Sequence, residues 1–207
     1  MLSVAEQSEL VRRFWAAMLD HYDAVTCQKS HSELMALAAE ALAVLGIQSK
    51  DTFLTNFVTT ICTFSDVIYT PFEVGADLER WPAWSQIRVC CHECQHVVQA
   101  KREGWVKFDS LYLASSSFRA GFEAEAFGTD MEMECWADPA FDPLAFAQSR
   151  PAVLKSYGCS DADIEQAVAA LTIRASMVKA GAVETDAAKT AIAWLEANVP
   201  ELQEVTR

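Results

Sequence analysis

Apolar residues recur at steps of three and four near the start of the chain. Leu10, Phe14, Ala17, Met18 and Tyr22 form one stripe, which predicts an amphipathic helix over residues 4–24. A polar stretch, CQKSHS, follows and ends in a candidate N-cap, Ser30 or Ser32. Residues 33–45, ELMALAAEALAVL, are strong helix formers, and Gly46 is the expected stop. The pattern then changes. TNFVTTICTFSDVIYTPFEVG is rich in β-branched and aromatic residues, which predicts two short strands, 56–63 and 66–70, around a Ser-Asp turn. Pro71 closes the second. Pro82 and Gly104 bracket a helix over 82–102. Residues 105–114, WVKFDSLYLA, read as a strand or an extended segment. A serine cluster then opens a helix over 118–136. A turn-rich connector, ADPAFDP, precedes three helical segments near 143–156, 161–180 and 185–197.

These elements imply an α+β protein, mainly α-helical, with a small β-sheet. They divide into N-terminal helices (1–50), a sheet-bearing core (51–137) and a C-terminal helical segment (138–207), within one compact domain. The chain has 207 residues, enough to bury a core without disulfides. Its 52% hydrophobic and 22% charged content is that of a globular chain, not a disordered one. No apolar run is long enough for a bilayer, so no membrane partner is expected. The opening MLSVAEQSELVRRFW lacks a signal-peptide pattern. A net charge of −13 and the absence of a Lys/Arg cluster argue against nucleic acid as a partner. Seven cysteines, an odd number, favour free thiols and a cytoplasmic location.

Chemistry concentrates in RVCCHECQHVVQ, residues 88–99. On a helix, His92 and His96 lie about 40° apart, one turn from each other, so both imidazoles can reach one ion. Glu93 lies about 100° round from His92, placed to reach a water on that ion instead of the ion itself. This is the H-E-x-x-H geometry of two zinc ligands and a general base. Gln99 falls near the same face. Cys91 and Cys94 offer a competing ligand or redox pair. Cys94 and Cys90, however, fall on the far side of the wheel with Ile87 and Val97, where free cysteine acts as a small hydrophobe. The other cysteines considered, Cys62 and Cys135, are single. A catalytic zinc needs a third protein ligand. His21 and His31 lie far upstream at polar positions. Glu123 is the better source, since it shares a mostly apolar helix face with Arg119, Ala126, Phe127 and Asp130, where a carboxylate needs a partner. Zinc would be one partner and Arg119, four residues earlier, another. Glu125 is the alternative ligand, on the opposite face. Asp130 is placed to orient a ligating histidine. Tyr69, Tyr112 and Arg119 are candidate donors to a developing oxyanion.

HECQHVVQ with RAGFEAEA downstream resembles the HExxH zinc metallopeptidases, the zincins. Within them it is most similar to the gluzincin arrangement of small bacterial and phage proteins, loosely of the ImmA/IrrE type. The resemblance spans roughly residues 55–135. It departs from that type after Glu123, where the Ala-Asn-x-Phe-Ala pattern is missing, and it lacks the metzincin extension. The resemblance implies a zinc cofactor on His92, His96 and Glu123, Glu93 as base, a peptide or protein substrate, and a strand beside the site that pairs with substrate backbone. Residues 56–63 or 66–70 would supply that strand. The expected function is therefore a zinc-dependent metallopeptidase. The alternative is a structural or interaction protein, such as a phage or mobile-element component, on the same frame. A thiol redox protein using Cys91 and Cys94 is a third reading.

Overall fold

The computed structural model describes residues 2–44, 49–56, 58–61 and 66–199. The fold is α+β and mainly helical, with nine α-helices and three strands among the described residues. Ser3 opens helix α1 (Val4–Tyr22) with a reciprocal cap: its hydroxyl accepts from the Glu6 N–H, and the Glu6 carboxylate accepts from the Ser3 N–H. Asp23, at a φ of 51°, turns the chain into strand β1 (Ala24–Gln28). The first helix thus ends two residues short of residue 24, and strand β1 begins at the expected helix end and runs into the CQKSHS stretch expected to be a polar loop. A 3₁₀ turn (Lys29–His31) leads into helix α2 (Glu33–Val44) and then α3 (Lys50–Asn56). Gly46 lies outside the described residues.

Strand β2 (Thr59–Ile61) pairs antiparallel with β3 (Asp66–Thr70), and β1 pairs with β3 in parallel, giving the order β1-β3-β2. The first expected strand is shorter than 56–63, because Asn56 closes helix α3. The Ser65 end of the expected turn, and Cys62, lie outside the described residues.

Helix α4 (Ala83–Glu103) carries the H-E-x-x-H run. Gln86 anchors its first turn: the side chain accepts from the Gly75 N–H and donates to the carbonyls of Ala76 and Trp81. Gly104, at a φ of 87°, then reverses the chain into helix α5 (Trp105–Ala114). This segment is a helix, not a strand. Phe108, Leu111 and Tyr112 recur at steps of three and one, and they pack on Ala100 and Phe122. Helix α6 (Ser116–Ala137) is capped by Ser115. Helices α7 (Pro143–Ser156), α8 (Asp161–Lys179) and α9 (Asp186–Asn198) follow.

Two apolar clusters hold α4 and α6 in place. One joins α1, Ile68 of β3, the back of α4 (Ile87, Cys90, Cys94, Val97), Met133 and α9. The other packs Ala120, Phe127 and Met131 of α6 against α7 and α8. Among the described residues, no helix is long and apolar enough to cross a membrane.

Candidate metal centre

Helix α4 buries its cysteine face in the first cluster, which turns His92 and His96 toward α6. Their ring centroids stand 5.0 Å apart. Glu123 comes from α6, whose apolar face seats it at 2% exposure. Its Oε2 lies 3.6 Å from His92 Nε2, and its Oε1 lies 3.5 Å from His96 Nε2. One ligand atom from each of the three residues falls within 4.8 Å of the others. Donors about 2.0–2.2 Å from a tetrahedral zinc stand about 3.3–3.6 Å apart, so the spacing suits one ion.

The surrounding hydrogen bonds prepare the same atoms. His92 Nδ1 lies 3.2 Å from Asp130 Oδ2, and Arg88 holds that oxygen at 3.1 Å. His96 Nδ1 lies 2.8 Å from Gln99 Oε1, while Gln99 Nε2 donates to the Phe122 carbonyl at 2.9 Å. With the amide fixed by that carbonyl, its oxygen must accept, so His96 carries its proton on Nδ1 and keeps the Nε2 lone pair free. Tyr112 donates to Glu123 Oε1 at 2.6 Å. Glu123 Oε2 is buried with no hydrogen bond among the described residues. A buried carboxylate oxygen left so is costly unless a cation meets it. Burial alone would depress His92, but Asp130 and Glu123 carry its pKa well above the ordinary histidine value. Burial alone would raise Glu123, but the two histidines and Tyr112 hold it below the usual carboxylate range. The field of Asp130 and Glu123 favours positive charge at His92, and a divalent cation would supply it.

Glu93 stands beside the group and ligates nothing in it. It is 7% exposed, and Thr60 Oγ1 donates to its Oε2 at 2.6 Å. Thr60 belongs to β2, which lies at the edge of the sheet. A cavity of about 490 Å³ opens over these residues, lined also by Phe108, Arg119 and Tyr157. Burial first, then Glu123 and Glu93, push the Tyr157 hydroxyl above its ordinary value.

The other sequence candidates lie elsewhere. Glu125 makes two 2.9 Å bonds to Arg102 and one of 2.7 Å from Gln95, so it serves as an ion-pair partner outside the metal group. Asp130 sits where a histidine-orienting carboxylate was expected. Arg119 makes no ion pair with Glu123; it donates to the carbonyls of Tyr112, Leu113 and Gly158. The Tyr112 hydroxyl is spent on Glu123. Tyr69 packs with Met35 and Phe53 under α2 and is not among the described residues that line the cavity. His31 is exposed, and His21 lies 3.5 Å from Thr190 Oγ1. Cys90, Cys91 and Cys94 are all fully buried, and burial raises the thiols of Cys90 and Cys91. That geometry excludes an exposed redox pair. Cys135 is half-buried beside the second cluster.

Sequence reasoning did not assign roles to Thr60, Tyr157 or the Gln99 amide. Gln99 had a local signal, three residues beyond His96 on one helix face. Thr60 and Tyr157 reach the site only through tertiary packing. Compared with known proteins, the chain matches no family model, no curated protein and no solved structure.

Proposed function

We propose that the protein is a zinc-dependent metallopeptidase of the gluzincin type, with His92, His96 and Glu123 as metal ligands and Glu93 as general base. One observation carries this reading: two Nε2 atoms converge on a buried carboxylate with a free oxygen, beneath an open cavity. When bound, a zinc ion supplies Lewis acidity, acidifying a water and polarising a carbonyl. Glu93 accepts the proton from the attacking water and passes it to the departing amine. Thr60 fixes one oxygen of Glu93 and leaves the other for that proton. Tyr112 holds Glu123 in its ligating position. Tyr157 is the oxyanion donor, since the hydroxyl of Tyr112 is already used. Strand β2, at the sheet edge, takes an extended peptide backbone alongside. The six free cysteines among the described residues favour a cytoplasmic location.

The second reading, a structural or interaction protein such as a phage or mobile-element component, draws on α2. That helix exposes Leu37 at 68% and Val44 at 85%, an apolar face that suits a partner. Metal content, and whether a bound metal keeps an open coordination position, separate the two readings. Protein purified without added metal, measured by mass spectrometry beside a His92→Ala/His96→Ala control, is expected to carry about one zinc per chain, lost in the control. Glu93→Gln is expected to keep the zinc and lose at least about a hundredfold in peptide hydrolysis. Full activity in that variant removes Glu93 from the mechanism. A metal closed off by four protein ligands decides for the structural reading.

A further inference from the structure

Strand β2 is an edge of the sheet, and Thr59, Thr60 and Ile61 all line the cavity over the metal group. Successive side chains of a strand point to opposite faces, and directly opposed residues of paired strands share a face. Thr60 pairs with Ile68, which belongs to the apolar cluster that includes the back of α4, and its hydroxyl reaches Glu93 of that helix. Thr59 pairs with Tyr69, and Ile61 with Val67. These lie on the other face, where Ile61 and Tyr69 pack on Met35 and Ala39 of α2 and Phe53 of α3. One face of β2 thus carries the base, and the opposite face carries an apolar wall.

That wall reaches the cavity. Leu42, Phe53 and Ile61 belong to one apolar cluster, and all three also line the cavity that holds His92, His96 and Glu123. Leu42 and Ile61 are half-buried, so part of each side chain stays open, with Phe53 behind them at 9% exposure. Thr59 adds a hydroxyl on this face but no charge. Lys29 lies deeper: its ammonium donates to the Phe53 carbonyl at 3.0 Å, and at 1% exposure it offers the cavity no surface. A peptide added to the edge of β2 alternates faces as β2 does. Every second side chain then lies on the Ile61 face, against this wall. An apolar side chain gains there by leaving water. A charged one loses its hydration and meets no opposite charge. The cavity, about 490 Å³, exceeds one side chain and suits a short run of peptide.

We infer that Leu42, Phe53 and Ile61 form a specificity subsite for a large aliphatic or aromatic side chain, and that the substrate is an extended peptide carrying such a residue on the face turned away from α4. This inference rests on the metallopeptidase reading for its substrate, but its binding test does not depend on metal.

The test is calorimetric binding of four blocked peptides, acetyl-Ala-Ala-X-Ala-Ala-amide with X as Leu, Phe, Lys or Glu, to wild-type protein kept in chelator. The Leu and Phe peptides are expected to bind at least about tenfold more tightly than the Lys and Glu peptides. Equal affinities, or no binding of any of the four, overturns the subsite. This comparison uses the unaltered protein, so a folding defect in a variant does not blur it. Leu42→Glu then places a carboxylate in the wall. It is expected to weaken the Leu peptide at least about tenfold and to make Lys the preferred residue, a gain that misfolding does not produce. A Leu preference unchanged in that variant puts the apolar side chain elsewhere in the cavity and overturns the assignment. With zinc restored, hydrolysis of all four peptides at equal kcat/KM leaves the peptidase standing and the subsite fallen. Leu and Phe preference in binding without hydrolysis of any peptide does the reverse.

Discussion

His96 keeps its Nε2 lone pair free because Gln99 takes its other ring nitrogen at 2.8 Å. Removing that acceptor frees the tautomer and the ring. Gln99→Leu is therefore expected to weaken zinc binding about 10–100-fold, read by competition with a chromogenic chelator. Unchanged affinity would mean that packing alone holds the ring. Lys29 poses a different residue-scale question. It is 1% exposed, with its ammonium 3.0 Å from the Phe53 carbonyl and 3.8 Å from the centre of the Phe53 ring. Burial lowers its pKa to about 8, against a smaller opposing pull from Glu93. Between about pH 8 and the ordinary lysine pKa of about 10.4, the unfolded chain holds more protons than the folded one. Stability from this group therefore rises with pH across that window. The Tm difference, wild type minus Lys29→Met, is expected to climb from pH 7.5 to pH 10 by about 2–4 °C for each kcal/mol. A flat difference would show that Lys29 is not desolvated as placed.

At the scale of elements, legibility followed periodicity. Helix α4 and the angular placing of His92, Glu93, His96, Glu123 and Asp130 could be read because the 3.6-residue period fixes faces without tertiary knowledge. The choice of Glu123 over Glu125 came from the same wheel. Segment 105–114 misled because Trp, Val, Phe and Tyr favour strands by composition, while the Phe108–Leu111–Tyr112 spacing is helical. Strand β1 was illegible because five residues pair in parallel with a partner far along the chain, and nothing local marks that. The misread helix α5 matters to the site, since it brings Tyr112 onto Glu123. Gly104 makes its sharp entry possible, at a φ of 87° where only glycine is at ease. An added Cβ would meet no other atom within 4 Å, so substitution acts through the backbone alone. Gly104→Ala is expected to cost about 1–3 kcal/mol in urea denaturation. A cost near zero would mean that α5 can be entered by another backbone path.

At the scale of the whole molecule, the site is a joint between two bodies of core. Helix α4 belongs to the cluster built with α1 and α9, while α6 presents another face to α7 and α8. His92 and His96 come from one side of that joint and Glu123 from the other. A bound ion would tie the two helices together and neutralise a buried oxygen that otherwise has no hydrogen bond. Binding energy is then folding energy. At a free zinc concentration about a hundred times Kd, the folded state gains about 2.7 kcal/mol. For a chain of this size that is about 5–10 °C in Tm. Titrating zinc into chelator-treated protein is expected to raise Tm by that amount. Glu123→Gln should lose most of the rise, because a neutral amide supplies no charge to the ion. Glu93→Gln should keep all of it, because Glu93 hydrogen-bonds to Thr60 and stands outside the ligand group. An equal rise in both variants would place the metal elsewhere on this acidic chain. Equal loss in both would make Glu93 a ligand and leave the proposed hydrolysis without its base.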